Sequence, residues 1–282
     1  MKNKFAPGNV QASTMIIWLF LFSFVPLCLM IIVSLLSTPS STNSSHLVTL
    51  PWTITHYTTL LSPIYVKILI RSCNIALITC FFCLILAYPF SYLIVKSKYK
   101  SVLLLGVMIP FWTSSLVRTY ALLCLLKNNG LLNTILIKLH ILHEPMIWLY
   151  TPFAVISGLV YTLFPFMVLP LITNMERFDQ RLIEAAKDLG ARPLRIFFHV
   201  YLPYTKTGIT NGCLLVFLPA MTLFYIPNIL GGARSLLIGN VIQHQFLVLE
   251  DWPQGAATSL MLTILLVSLC LGKTRPQKSG AV

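Results

Sequence analysis

Apolar residues fall along this chain in long blocks rather than in the stripe of a surface helix or the alternation of a half-buried strand. Six blocks stand out: Met15 to Leu36, the stretch after Arg71 up to Val95, Ser101 to Leu126 interrupted by Arg118, a run within Pro145 to Met175, Thr207 to Ala233, and Trp252 to Gly272. Each approaches or exceeds the roughly 20 apolar residues that a helical bilayer crossing needs. A segment in hydrocarbon must satisfy its own backbone hydrogen bonds, so the blocks predict an all-α integral membrane protein with six helices over residues 15–272. Residues 1–14 and 273–282 are then short terminal segments. The first block exceeds the apolar core of about 7–15 residues typical of a secretory signal and lacks a clear small-residue cleavage site, so it is read as a retained anchor.

Composition agrees: of 282 residues, 57% are hydrophobic and only 10% charged, with a mean hydropathy of +0.83. These values exclude a soluble, disordered, collagenous or disulfide-rich secreted chain. The net charge of +13 reads as membrane orientation rather than as a nucleic-acid partner. Fourteen of the twenty Lys and Arg flank the termini and the second and fourth connections, whereas Lys67, Arg71, Arg118, Lys127, Lys138 and Arg234 fall on the other side. Both termini are therefore predicted to be cytoplasmic. None of the outer connections is long enough for a separate catalytic domain.

The cytoplasmic loop of any length, residues 176–206, holds four of the seven acids, from Glu176 to Asp188. It reads as a helical hairpin. Leu182, Ala185, Ala186 and Leu189 form one apolar stripe, with Asp179 as N-cap and Gly190 just past the end. Leu194, Phe197, Phe198 and Tyr201 form a second stripe, opened by Pro193 and ended by Pro203. On periodicity alone such a hairpin also suits an interfacial elbow resting on headgroups. Glu184 by itself is equally a solvated carboxylate.

The string Glu184-Ala185-Ala186, three residues, Gly190, nine residues, Val200-Tyr201-Leu202-Pro203 resembles the EAA signature of ABC importer permeases, with Val200 where Ile is usual. Other strings are similar to the spermidine/putrescine permeases of that family. They are Pro110 to Arg118, Gly158 to Tyr161, Leu163 to Val168, Leu214 to Met221, Gly231 to Ala233, Leu236 to Ile242, and Asp251 to Ser259. Past Ser259 the likeness fades. The resemblance implies a six-helix type I permease of the bacterial inner membrane that performs no covalent chemistry and carries polyamines inward by alternating access. It also implies a second homologous permease subunit, cytoplasmic ABC ATPase subunits holding ATP and Mg, and an extracytoplasmic polyamine-binding protein. Glu184, Ala185, Ala186, Gly190, Leu202 and Pro203 are the ATPase-coupling residues it implies.

No cofactor site is expected on the chain itself. Gly272-Lys273-Thr274 looks like the end of a phosphate-binding loop, but Val267 stands where the first glycine belongs. Cys80 and Cys83 read as packing within an apolar helix, and His140 with His143 as a loop pair short of the ligands a metal needs. Asn43-Ser44-Ser45 fits a glycosylation acceptor and carries no weight.

A polyamine is a flexible chain of ammonium groups, so its path should offer carboxylates and aromatic faces. Trp112, Tyr161, Tyr225, Glu250, Asp251 and Trp252 are the candidates. Interface anchoring, or docking of the binding protein at the two acids, would use the same residue types. Arg118 is either a functional intramembrane charge or a side chain that snorkels outward. An EAA permease for ferric iron, an opine or an oxyanion is the rival reading. A secondary transporter is a more distant one, since it would need midplane coupling residues and buried acids are nearly absent.

Overall fold

The computed structural model describes residues 7–37, 49–179, 181–232 and 235–273. Lys2, Lys4, the Asn43 tripeptide, Ala233, Arg234, Thr274, Arg275 and Lys278 lie outside the described residues. The chain divides into two compact units, residues 1–66 with 241–282, and residues 67–240.

In the first unit, α1 (Pro7–Ser34) covers the first apolar block and begins ahead of it. Trp18 to Phe22 are all more than half exposed, the character of a helix meant for lipid or a partner rather than for its own core. A short antiparallel pair, β1 (Leu36–Ser37) and β2 (Thr49–Trp52), and helix α2 (Thr55–Leu60) occupy the connection between the first two apolar blocks. Both α1 and α2 pack on α12 (Trp252–Lys273), which matches the sixth predicted span. The buried His56 ring ties them together, its nitrogens 2.9 Å from Gln254 Oε1 and 3.1 Å from the Leu36 carbonyl oxygen.

The second unit begins inside α3 (Pro63–Lys96), which starts well before Arg71 because the polar residues near Arg71 continue the helix. The third predicted span is not one helix. It divides into α4 (Lys100–Met108), a 3₁₀ turn (Ile109–Trp112) and α5 (Ser115–Leu126), with Thr113 and Ser114 extended between them. Pro110 lacks the backbone donor that would continue α4 and clashes with the preceding turn, which explains the break. Helix α6 (Leu131–Lys138) follows in the predicted loop, held by Asn133. The Asn133 amide donates to the carbonyls of Asn128 and Met146, and its oxygen accepts from Met146 N and Trp148 Nε1.

Helix α7 (Pro152–Met175) matches the fourth span, and over half of it is buried. The hairpin helices α8 (Arg181–Asp188) and α9 (Pro193–Ile196) lead into α10 (Leu202–Thr222). The fifth predicted span is therefore shorter than Thr207 to Ala233. At Leu223 the backbone turns extended, and the freed Phe224 carbonyl accepts from Asn228 N at 3.1 Å and Asn240 Nδ2 at 3.3 Å. A π-turn (Pro227–Gly231) and α11 (Ile238–Leu247) follow, the latter where only a loop was expected.

Among the described residues five stretches are long and apolar enough to cross a membrane: Thr14–Ser34, Pro63–Lys96, Ser115–Lys138, Pro152–Met175 and Trp252–Leu271. Helix α10 is not one of these five, because Lys206, Thr207, Thr210 and Asn211 make its first half polar.

Helices α7 and α10 form the main contact of this unit. A Cβ on Gly208 would lie 2.7 Å from Asn174 Cβ, and one on Gly212 would lie 2.6 Å from Met167 Sδ. Missing side chains thus let two backbones approach, the usual device of helices packed in lipid. From α3, the Cys80 thiol donates to the Cys213 carbonyl at 3.8 Å and the Cys83 thiol to the Val160 carbonyl at 3.7 Å. The Cys80/Cys83 pair is thus used for packing against α10 and α7.

Gly208→Val should overpack this contact and cost about 1–3 kcal/mol. Thermal unfolding of the purified complex should show the loss, whereas Gly106→Ala, whose Cβ would meet no atom within 4 Å, should leave the curve in place.

Candidate functional site

The EAA string folds as a hairpin whose turn is set by backbone chemistry. Asp179 Oδ1 accepts from Arg181 N at 3.0 Å, which satisfies one of the free donors that open α8. At the other end Gly190 adopts φ +74°. Gly190 N donates to the Lys187 carbonyl at 2.8 Å and Ala191 N to the Ala186 carbonyl at 3.0 Å, the paired bonds of a Schellman ending. A Cβ at Gly190 would meet nothing within 4 Å, so the requirement there is conformational rather than steric.

After the turn, Pro193 opens α9 at a position where a missing donor costs nothing. Contrary to the sequence reading, Pro203 does not end the second helix. A π-turn (Phe197–Tyr201) joins α9 to α10 without a break, and Leu202 N donates to the Phe197 carbonyl five residues back. The wider turn gives the Pro203 ring room where an α-turn would bring it against a carbonyl. Leu202 and Pro203 therefore sit at the junction through which the hairpin is continuous with a membrane helix.

An aromatic cluster seats the hairpin on the ends of α3 and α7. Tyr201 packs edge-on against Phe178 at 5.0 Å and Tyr92 at 5.4 Å between centroids. Tyr204 packs against Phe178 at 4.9 Å and donates its hydroxyl to the Arg177 carbonyl at 2.7 Å. Burial, then the neighbouring phenols of Tyr88 and Tyr92, push the Tyr201 phenol upward, so it stays neutral. Lys96 Nζ lies 4.4 Å above the Tyr92 ring, and Lys100 pairs with Glu176 at 2.5 Å, joining the start of α4 to the end of α7. Sequence reading missed this cluster, although Phe178, Tyr201 and Tyr204 were visible as aromatics flanking the hairpin.

Glu184 borders a cavity of about 130 Å³ together with Tyr92, Lys96, Phe178, Lys187 and Tyr201. Ala185 is exposed and Ala186 half-buried. Both apolar stripes point partly away from the chain: Leu189 is 87% exposed, Leu194 73% and Phe198 57%. The hairpin thus presents an apolar face that its own helices do not cover.

The six path candidates fall in both units. Trp112 is 81% exposed at the α4–α5 break, and Tyr161 on α7 faces the Arg118 guanidinium at 5.8 Å. Tyr225 lies just past the end of α10, edge-on to Phe224. In the other unit, Glu250 is exposed with a φ of +53°, and Trp252 packs edge-on against Phe246 at 6.1 Å. Asp251 Oδ1 accepts from Gln254 N at 3.1 Å and so caps α12. His140 stands exposed in the turn after α6.

This arrangement of broken membrane helices with a hairpin grafted onto one of them is the fold of importer permeases. The crystal structure of a bacterial alginate ABC transporter in complex with alginate pentasaccharide-bound periplasmic protein superposes with a TM-score of 0.74 at 14% identity, over 94% of this chain and 91% of that one. The chain belongs to the family described as binding-protein-dependent transport system inner membrane component, whose pattern matches residues 63–272. It is 45% identical to the spermidine/putrescine transport system permease protein PotB of Salmonella typhimurium (strain SL1344), over 94% of this chain and 92% of that protein. It is 46% identical to PotB of Escherichia coli (strain K12), over 90% and 91% respectively.

Gly190→Val places a β-branched residue in the left-handed region, at a cost of about 1–2 kcal/mol. If the hairpin is the ATPase dock that the EAA resemblance implies, the variant should still reach the membrane while co-purification of an ATPase subunit falls. Gly190→Asn should restore it in part, because asparagine tolerates that region.

Proposed function

We propose that this chain is the inner-membrane permease subunit through which an ATP-driven importer carries spermidine and putrescine into the cell. The observation that carries the reading is the EAA hairpin, exposed on its apolar face and continuous through the π-turn with α10. A helix-in-groove contact with a cytoplasmic ATPase would cover that face. Likeness to PotB proteins along nearly the whole chain supports the polyamine as cargo.

In this reading both termini face the cytoplasm, residues 15–272 form the membrane domain, and residues 176–206 form the coupling loop. The ATPase subunits hold ATP and Mg, and this chain contributes no covalent step. A second, homologous permease completes the path, and an extracytoplasmic binding protein delivers the polyamine. Closure of the ATPase pair pushes on α8, and the aromatic cluster and the α7–α10 contact pass that push to the path. Glu184, Ala185, Ala186, Gly190, Leu202 and Pro203 act at the dock. Trp112, Tyr161, Tyr225, Glu250, Asp251 and Trp252 lie along or at the mouth of the path.

Cells lacking their own polyamine permease, supplied with this chain and its companion subunits, should import labelled spermidine and putrescine. Glu184→Lys should lower that import by at least about tenfold, one transition-state step of roughly 1.4 kcal/mol or more. No import by the wild type, with an ATPase still co-purifying, would keep the importer and discard the polyamine in favour of another solute.

A further inference from the structure

Arg118 stands on the first turn of α5, just past the break in the third span. Its guanidinium carbon lies 4.2 Å from the centroid of the Phe111 ring and 5.8 Å from that of Tyr161. Phe111 belongs to the 3₁₀ turn on the other side of the break, and Tyr161 to the neighbouring α7. One cation therefore bridges the two halves of a broken span and the central helix of its unit.

Arg118 Nε and Nη1 are buried, and among the described residues neither has a hydrogen-bond partner. A guanidinium carries five donors, and in an apolar interior they are ordinarily met by carboxylates, carbonyls or water. Here two of its three nitrogens forgo those partners, and the aromatic faces supply the attraction instead. Such a contact is easily exchanged: the long side chain gains hydrogen bonds by swinging away, and the rings lose nothing if another cation replaces it.

The rings also decide the sign of the ligand. An aromatic face is the negative pole of its quadrupole, so two faces converging on one point attract ammonium groups and disfavour anions. An arginine built to bind an oxyanion would aim its nitrogens at the ligand rather than bury two of them unmet.

Resting on the polyamine reading above, we infer that the Phe111 and Tyr161 rings are an ammonium-binding step of the translocation path, which Arg118 occupies and a polyamine ammonium takes over as it passes. The guanidinium holds the break shut against leakage, and the charge of the arriving substrate helps to repel it. Only a cation able to outcompete a guanidinium on the two rings gets through, which makes Arg118 a specificity-determining residue.

The test uses the complete importer in proteoliposomes, with labelled putrescine inside and no ATP. Arg118→Gln removes the resident cation, and leakage of putrescine should rise about tenfold over wild type, while Arg118→Lys, which keeps a cation over the rings, should restore tightness. With ATP and loaded binding protein, Phe111→Leu and Tyr161→Leu should each lower spermidine import about tenfold with the ATPase still bound. Wild-type leakage and import in Arg118→Gln would overturn the inference, as would loss of the second permease from that variant, which would place the guanidinium in a subunit contact. Failure of the wild-type importer to move either polyamine would instead remove the reading on which the inference rests.

Discussion

The close seat of α10 on α7 is the contact from which the rest of this molecule hangs. Lipid offers no hydrophobic drive between helices, so two membrane helices hold together through short backbone distances and matched surfaces. Gly208 and Gly212 supply the short distance against Asn174 and Met167, and the buried row Leu163, Met167, Leu171 and Met175 supplies the surface. Because α10 continues through a π-turn into the hairpin, the helix that packs most closely on α7 also carries the hairpin with its exposed apolar face. A push on α8 would therefore meet a braced lever rather than a loose loop.

Proline shapes the breaks and turns of these helices. Pro110 separates α4 from α5 and leaves Phe111, Trp112 and Arg118 around the break. Pro203 is accommodated by one π-turn, and Pro227 opens another past the end of α10. Each is a place where the backbone ladder is already relaxed, so rotation there breaks fewer hydrogen bonds than in a regular helix. At the base of the hairpin, by contrast, Tyr201, Phe178, Tyr92 and Tyr204 interlock edge to face and brace it.

Spans whose apolar residues run without interruption were legible in the sequence: α1, α7 and α12 fall close to their blocks because length and hydropathy alone determine them. The hairpin was legible for a different reason, since Asp179, Gly190 and Pro193 are local signals whose backbone consequences do not depend on distant packing. The broken spans were not. Hydropathy is blind to a proline or to an extended pair such as Thr113 and Ser114, so the third and fifth blocks read as longer than their helices. Helices α2, α6 and α11 were missed because they are short and are held by side chains such as His56 and Asn133, whose partners lie far along the chain or across a turn. Arg118 was noticed as an isolated charge, but its ring partners come from α7 and from across the break, and nothing in the local sequence announces them.

The hairpin's exposed tip offers the most direct test of the idea that this element couples ATP hydrolysis to transport. Leu189 sits at that tip with almost all of its side chain free. A photoreactive residue in its place, activated in the intact complex, should crosslink to the ATPase subunit, and ATP binding should change the yield. Crosslinks only to lipid, or to the ATPase from another cytoplasmic segment but never from Leu189, would contradict the coupling role of the hairpin.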